Sequence, residues 1–332
     1  MEQKSVLIGM SGGVDSSVAA ALLKEQGYHV IGATMRLWTY SDSCNMKHEG
    51  CCAESAVEDA RRVCDKLGID FYVMNFKDMF KDKVVDYFVD EYIHGRTPNP
   101  CIACNKYLKF DALLKKALAM GIDYVATGHY AKIEKGEDGK YILRASEAVK
   151  KDQSYVLYNF TQEQLAHTLM PLGGYNKDWV RQKAEELGLG VAHKPDSQEI
   201  CFVEDDDYAK FITDYSGYKP KEGDILDVNG NVIGKHRGLI YYTIGQRKGI
   251  GAYGRPMFVM KIDAENNTIT LGEKGMEFSN ELTAYDVNFV SGEFPKENML
   301  ITAKVRYQAP PAAAMLCPQK DGTVKLMFPE PQ

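Results

Sequence analysis

Val6-Leu7-Ile8-Gly9-Met10-Ser11-Gly12-Gly13-Val14-Asp15-Ser16-Ser17, near the start of the chain, decides the fold. Residues 6–10 are a short apolar run without helical period, which reads as a strand buried on both faces. Two glycines then permit a tight turn with close backbone approach, and helical pattern begins inside the same stretch. A strand that runs through a glycine turn into a helix N-terminus presents backbone N–H donors and a positive dipole end to an anion. Ser11, Ser16 and Ser17 add hydroxyl donors, and Asp15 is placed to hold Mg²⁺ beside a pyrophosphate. No lysine follows the second glycine, so this is not the Gly-x4-Gly-Lys-Ser/Thr loop that reaches a γ-phosphate.

Working outward, apolar runs at residues 30–35, 71–75 and 124–127 alternate with helix-period segments at 15–26, 53–67, 77–92 and 109–120. That alternation predicts βαβ units and a parallel, Rossmann-like sheet, an α/β fold. Gly9, Gly32 and Gly128 fall at or among strand carboxyl ends, where open α/β sheets bind ligands. The pattern changes after His129. Two strand-like pieces, 130–134 and 141–143, flank a polar turn, and helical segments follow at 162–169 and 178–187. Beyond residue 206 helices become scarce and Gly-rich strand patterns dominate, at 224–228, 257–262, 268–271, 300–305 and 323–328, with Asn-Gly at 229–230 and Asn-Asn at 266–267 as turn signals. The expected organisation is an α/β domain over 1–205, a small mixed domain over 206–275 and a C-terminal β-barrel-like domain over 276–332.

The chain has 332 residues, 45% hydrophobic and 26% charged, enough for two or three globular cores. No apolar run approaches the roughly 20 residues of a membrane span, and the first apolar segment is too short for a signal peptide, so the expected location is the cytoplasm. Eight cysteines in such a chain point to metal binding or catalysis rather than to disulfide staples. A formal charge of -6 hides a local excess: Lys235, Arg237, Arg247, Lys248, Arg255 and Lys261 occur in a stretch with no acidic residue. With Tyr241, Tyr242, Tyr253 and Phe258 interleaved, that stretch predicts a nucleic-acid surface.

Thr97-Pro98-Asn99-Pro100-Cys101-Ile102-Ala103-Cys104-Asn105 reads as a rigid loop, because each proline fixes φ and restrains its predecessor. Cys104 is expected just before a helix starting near Lys109, with Lys106 close by. A helix N-terminus and cationic neighbours favour the nucleophilic thiolate. Far downstream, Asp196-Ser197-Gln198-Glu199-Ile200-Cys201-Phe202 carries a second cysteine in a polar segment without helical period. Cys44, Cys51, Cys52, Cys64 and Cys317 read as packing residues. Of the seven histidines, only His129 sits where a strand end meets the expected nucleotide.

The Ser-Gly-Gly-Val-Asp-Ser loop resembles the signature of the N-type ATP pyrophosphatases, which split ATP between its α and β phosphates to activate a carbonyl oxygen. The two cysteine contexts resemble those of the tRNA-specific 2-thiouridylases within that superfamily. So do Gly50-Cys51-Cys52, Asp59-Ala60-Arg61, Thr127-Gly128-His129-Tyr130, Lys151-Asp152-Gln153-Ser154-Tyr155 and Thr243-Ile244-Gly245-Gln246-Arg247-Lys248-Gly249. The likeness covers essentially the whole chain. It implies an adenine-nucleotide alpha-hydrolase-like first domain, ATP and Mg²⁺ as cofactors, and ATP-binding residues Gly9, Met10, Ser11, Gly12, Gly13, Val14, Asp15, Ser16, Met35 and Gly128. It also implies a tRNA anticodon stem-loop as substrate. Cys201 is expected to carry sulfur as a persulfide from a relay protein or cysteine desulfurase, and Cys104 to be its partner nucleophile, the two ending as a disulfide. Asn99, Pro100 and Cys101 would meet the target base, and Lys151, Asp152, Gln153, Arg306 and Tyr307 the tRNA.

Two departures from the family pattern stand out. Cys101 replaces an aspartate of many relatives, so Cys101, Cys104 and Cys201 are a candidate ligand set for a [4Fe–4S] cluster that would carry the sulfur instead. The second is the chain's end at Pro329-Glu330-Pro331-Gln332, short of the family's usual last strands, which predicts an unclosed barrel. The competing functions are a small-molecule synthetase of the same superfamily, which has no use for the cysteine pair, and a metal-binding regulator that uses ATP only as a ligand.

Overall fold

A computed structural model describes residues 3–38, 54–196, 200–203, 206–276, 278–307 and 309–332. Cys44, Cys51, Cys52 and the Ser197, Gln198 and Glu199 part of the second cysteine motif lie outside those residues. The chain forms two compact units. The first comprises residues 1–85, 100–206 and 288–293, the second 86–99, 207–287 and 294–332.

The first unit is built on a parallel sheet. Strand β1 (Ser5–Gly9) lies between β2 (His29–Arg36) and β4 (Tyr124–Ala126), with β3 (Asp70–Asn75) beyond β2, and β7 (Thr168–Leu169) beyond β4. Val6, Leu7 and Ile8 are fully buried, as a central strand covered on both faces requires. Helix α1 (Val14–Glu25) buries all of its first ten residues except Asp15, and α2 (Glu54–Leu67) buries the stripe Ala56, Val57, Ala60, Val63 and Cys64. Strands β5 (Ala131–Lys135) and β6 (Tyr141–Ala145) form the expected hairpin.

Two expected elements are redrawn. The helix expected over 162–169 stops at Ala166, and Thr168 and Leu169 become the sheet's edge strand, because backbone pairing to Val125 and Ala126 outweighs local helical pattern. The segment from Pro100 is not a loop: helical backbone begins at Pro100 and runs, with a wider π-helical stretch over Cys104–Ala112, to Ala119. Proline is well suited to that first helical position, since its missing N–H has no helical partner to lose.

In the second unit, β8 (Gly223–Leu226), β9 (Val232–His236), β10 (Phe258–Asp263) and β11 (Thr268–Gly272) form one sheet over a core of Ile225, Val259, Ile269 and Leu271. Both turn signals are used, with Gly230 and Asn267 at positive φ. Strands β12 (Glu281–Ala284), β13 (Met299–Ala303), β14 (Ala312–Pro318) and β15 (Val324–Met327) form an antiparallel sheet in the open order β12-β15-β14-β13. Helix Tyr208–Ser216, unforeseen in the sequence, packs on Asp86–Ile93 through Phe88 with Phe211 and the stacked rings of Tyr92 and Tyr208. No described helix is long and apolar enough to cross a membrane.

Candidate active site

The loop after β1 is braced by its own residues. Gly12 adopts φ +70°, and a Cβ there would lie 2.3 Å from the Ala56 carbonyl oxygen, so only glycine fits. The Ser16 and Ser17 hydroxyls both donate to the Gly13 carbonyl, at 3.2 and 2.8 Å. Ser17 is fully buried, so its expected role toward a ligand is replaced by one within the turn. Thr34 Oγ1 donates to the Met10 carbonyl at 2.8 Å and ties the loop to β2. Gly13 is the N-cap of α1 and no side chain caps that first turn, which leaves its N–H donors to a ligand.

Above this loop lies a cleft of about 200 Å³. Gly9, Met10, Ser11, Asp15, Ser16, Met35 and Gly128 line it, whereas Gly12, Gly13 and Val14 shape the turn behind them. Gly128 abuts α1 so closely that a Cβ would meet the Ser16 nitrogen at 2.6 Å. Lys109, Thr127, His129 and Gln153, not all foreseen as cleft residues, complete the wall. The His129 Nδ1 is 2.7 Å from Thr127 Oγ1, and its ring packs on Phe110. Burial, with the nearby Lys109 charge, holds its pKa well below the ordinary histidine value of 6.5, so the imidazole is neutral at neutral pH. A larger groove of about 580 Å³, between the ends of β2 and β3 and α2, gathers none of the sequence-predicted residues.

Two lysines that the sequence did not single out reach the loop. Lys194 Nζ donates to the Gly12 carbonyl at 3.1 Å and to Asp59 at 2.8 Å. Lys177 Nζ donates to both oxygens of Asp15 at 2.8 Å and pairs with Asp196 at 2.6 Å. Tyr130 completes the Asp15 shell, donating its hydroxyl proton at 2.7 Å. Burial acts to raise the Asp196 pKa, but hydrogen bonds from Lys151 and Lys177 outweigh it and hold the carboxyl below its ordinary range.

Cys104 is buried, 8% exposed, while Cys101 is exposed and Cys201 half-buried. Because the helical run starts at Pro100, Cys104 lies in its second turn and not before its N-terminus, so the expected dipole assistance is reduced. Among the described residues no three His, Cys, Asp or Glu side chains gather as a metal site. Cys101, Cys104 and Cys201 are all described, so they do not assemble the expected cluster ligands. Cys64 is buried in the core, and burial, then Asp65, pushes its thiol up to about 12, which fits a packing role.

The expected tRNA residues divide. Lys151 pairs with Asp196 at 2.7 Å. Asp152 accepts from Ser146 N and Ser154 Oγ, and Gln153 brackets Tyr130 through backbone and side chain, so these two organise the first unit internally. Asn99 is exposed and Pro100 buried. Arg306 and Tyr307 are exposed in the second unit, Arg306 lying against Gly245. The basic stretch is weaker than its sequence implies: Lys235 pairs with Asp224 at 2.6 Å, Arg255 with Glu273 at 2.6 Å and Lys261 with Asp263 at 3.2 Å. Arg237 stacks on Tyr241, 4.0 Å from the ring centre.

Residues 4–205 match the family model described as tRNA methyl transferase HUP domain, residues 209–273 the tRNA methyl transferase PRC-barrel domain and residues 279–332 the aminomethyltransferase beta-barrel domain. The tRNA-specific 2-thiouridylase MnmA of Acetivibrio thermocellus is 57% identical over 335 residues, covering 100% of this chain and 93% of that protein. The protein of the same name from Clostridioides difficile is 57% identical over 331 residues, covering 99% and 91%. Its namesake from Clostridium botulinum strain Alaska E43 is 56% identical over 333 residues, covering 100% and 92%.

Proposed function

The chain belongs to the tRNA-specific 2-thiouridylase family, and on that premise we propose how its residues divide the ATP-dependent thiolation of a tRNA uridine. ATP adenylates O2 of the wobble uridine and releases pyrophosphate, converting a poor leaving group into AMP. The α1 N-terminus, Ser11 and Gly128 hold the nucleotide in the cleft. Asp15 lines the cleft and would hold Mg²⁺ by giving up contacts to Lys177 and Tyr130, which bond its oxygens here; when bound, the ion would supply charge neutralisation for the pyrophosphate. Cys201, charged by a relay protein or a cysteine desulfurase, carries a persulfide. The Cys104 thiolate attacks the Cys201 Sγ, the persulfide S–S bond breaks, and the outer sulfur leaves with the electron pair. That sulfur adds to C2 and expels AMP, leaving a Cys104–Cys201 disulfide for a dithiol to reduce. Neutral His129, its basicity lowered by burial, has no imidazolium proton to give and serves beside Thr127 as a hydrogen-bonding group. The tRNA is held in the C-terminal part by Arg306 and Tyr307, and Lys151, paired with Asp196 here, joins them by opening that pair.

The observation that carries this reading is the helical run from Pro100. It bears Cys104 and, five residues on, Lys109 in the wall of the nucleotide cleft. Five helical residues rise roughly 7 Å, so a thiol and an activated base can share one neighbourhood. Exchange of oxygen for sulfur needs both an activated oxygen and a soft nucleophile, which the nucleotide cleft and the two cysteines would supply. The test is anaerobically purified protein with tRNA, ATP and a persulfide donor, scored for thiolated uridine and AMP. Cys104→Ser and Cys201→Ser are expected to lose thiolation; thiolation that persists in either variant defeats the assignment.

A further inference from the structure

Lys194 reaches the nucleotide loop from 182 residues further along the chain. Its ammonium donates to the Gly12 carbonyl at 3.1 Å and to Asp59 at 2.8 Å, and each charged side chain is only 27% exposed. Asp59 opens the Asp59-Ala60-Arg61 string and stands one helical turn beyond Ala56, whose backbone closes on Gly12. Neither Lys194 nor Asp59 lines the cleft, so the Gly12 carbonyl is drawn away from it. A peptide unit is planar and trans, so the Gly13 N–H points opposite to that carbonyl.

We propose that Lys194 is a positioning residue for ATP, fixing the peptide between Gly12 and Gly13 so that it offers the polyphosphate a donor and not an acceptor. The proposal rests on the reading of the cleft as the ATP site. A peptide flanked by two glycines turns over easily, because the flip changes ψ of the first and φ of the second, and glycine tolerates both signs. Here Gly12 stands at φ +70° and Gly13 at φ -104°. A flip would aim the Gly12 carbonyl oxygen at the phosphates, and repulsion would replace a hydrogen bond. The Met10 and Gly13 carbonyls are tied back by Thr34 and by Ser16 and Ser17, all from the loop, its helix or the next strand. The Gly12 carbonyl is tied by the distant ammonium instead, which Asp59 holds in place. A loop with no lysine of its own thus borrows one, and uses it on the backbone.

The test is calorimetric binding to the full chain of an ATP analogue with a methylene bridge between its α and β phosphates, alongside AMP. Lys194→Met is expected to weaken the analogue about tenfold, the effect of losing one charge-assisted hydrogen bond, and to leave AMP within about twofold. Lys194→Arg, which keeps a charged donor, should recover most of the loss. Asp59→Ala separates positioning from bulk charge. If Lys194 acted only as a positive charge, removing the carboxylate beside it would tighten the analogue. If it holds a carbonyl in place, the same change takes its anchor away and weakens the analogue several-fold, which is the expected result. Should Lys194→Met fail to fold, the sign of the Asp59→Ala effect still decides. An unchanged analogue affinity in Lys194→Met, an equal loss of analogue and AMP, or tighter binding in Asp59→Ala overturns the proposal. A wild-type chain that does not bind the analogue sinks the ATP site itself, and neither result depends on tRNA or a sulfur donor.

Discussion

Gly128 stands where β4 hands the chain to the cleft, and the 2.6 Å approach to the Ser16 nitrogen leaves no room for a methyl group. Gly128→Ala must therefore push the strand end away from α1, and its effect belongs mainly to ATP: KM for ATP is expected to rise about tenfold or more with a smaller drop in melting temperature. A KM unchanged from wild type would mean that the cleft tolerates the shift. His129 offers a separate check through pH. Its folded pKa lies below the unfolded value near 6.5, so the unfolded chain binds the extra proton first, and stability falls as pH drops below about 6.5. His129→Gln is expected to flatten that part of a pH series of denaturation midpoints, and the wild-type rate profile should show no His129 titration between about pH 7 and 8. At this scale, Gly9, Gly12 and Gly128 were legible as turn and cleft positions because their neighbours form long, specific strings. Lys177 and Lys194 were not: a lysine in a helix or a loop has no local signature, and only folding brings their ammonium groups to Asp15 and to the Gly12 carbonyl.

Turns decide how the second unit's strands pair, and the hairpin between β10 and β11 shows the requirement. Asn267 sits at φ +50°, its carbonyl accepts from His236 Nε2 at 2.9 Å, and its side chain donates to the Glu222 carbonyl at 2.8 Å. Asn267→Val loses the side-chain bond and puts a branched Cβ in the left-handed region, an expected loss of about 2–3 kcal/mol. Asn267→Gly relieves the backbone and loses only the bond, so about 1 kcal/mol is expected. Equal midpoints for the two variants in urea denaturation would remove backbone conformation as the cause. The Asn-Asn pair made this hairpin readable from sequence, as periodicity made β1 and α1 readable. Strand β14 was hidden because it opens on three alanines, a weak strand former, and is held by pairing with β13 and β15. The Pro100 segment misled for a related reason: proline signals a break inside a helix but also suits its first position, and spacing alone does not distinguish the two.

At the scale of the whole molecule, an acidic chain of net charge -6 must present local positive surface to a polyanionic substrate. The stretch from Lys235 to Lys261 has no acidic residue of its own, yet Asp224, Glu273 and Asp263 (which lies two residues beyond Lys261 on the same strand) pair with three of its six cations. A cation already paired with a carboxylate releases fewer counterions when a phosphate arrives, because the carboxylate offsets part of its charge. Arg247 and Lys248 lie in the loop that Gln246 pins by bonds to the Tyr241 and Lys248 carbonyls, at 3.2 and 2.9 Å. Glycines at positive φ on both sides, Gly245 and Gly249, set the loop's path. Arg247→Ala or Lys248→Ala should therefore weaken tRNA binding and lower the magnitude of its logarithmic salt slope by about 0.7–0.9 each. Lys235→Ala, Arg255→Ala and Lys261→Ala should leave that slope nearly unchanged, provided that each cation stays with its carboxylate and makes no phosphate contact of its own. Titrations of tRNA at several salt concentrations decide between the two groups. A slope that falls equally for all five variants would show that the ion pairs open on binding, and that the field summed along the sequence, rather than the one paired in the fold, is what the RNA meets.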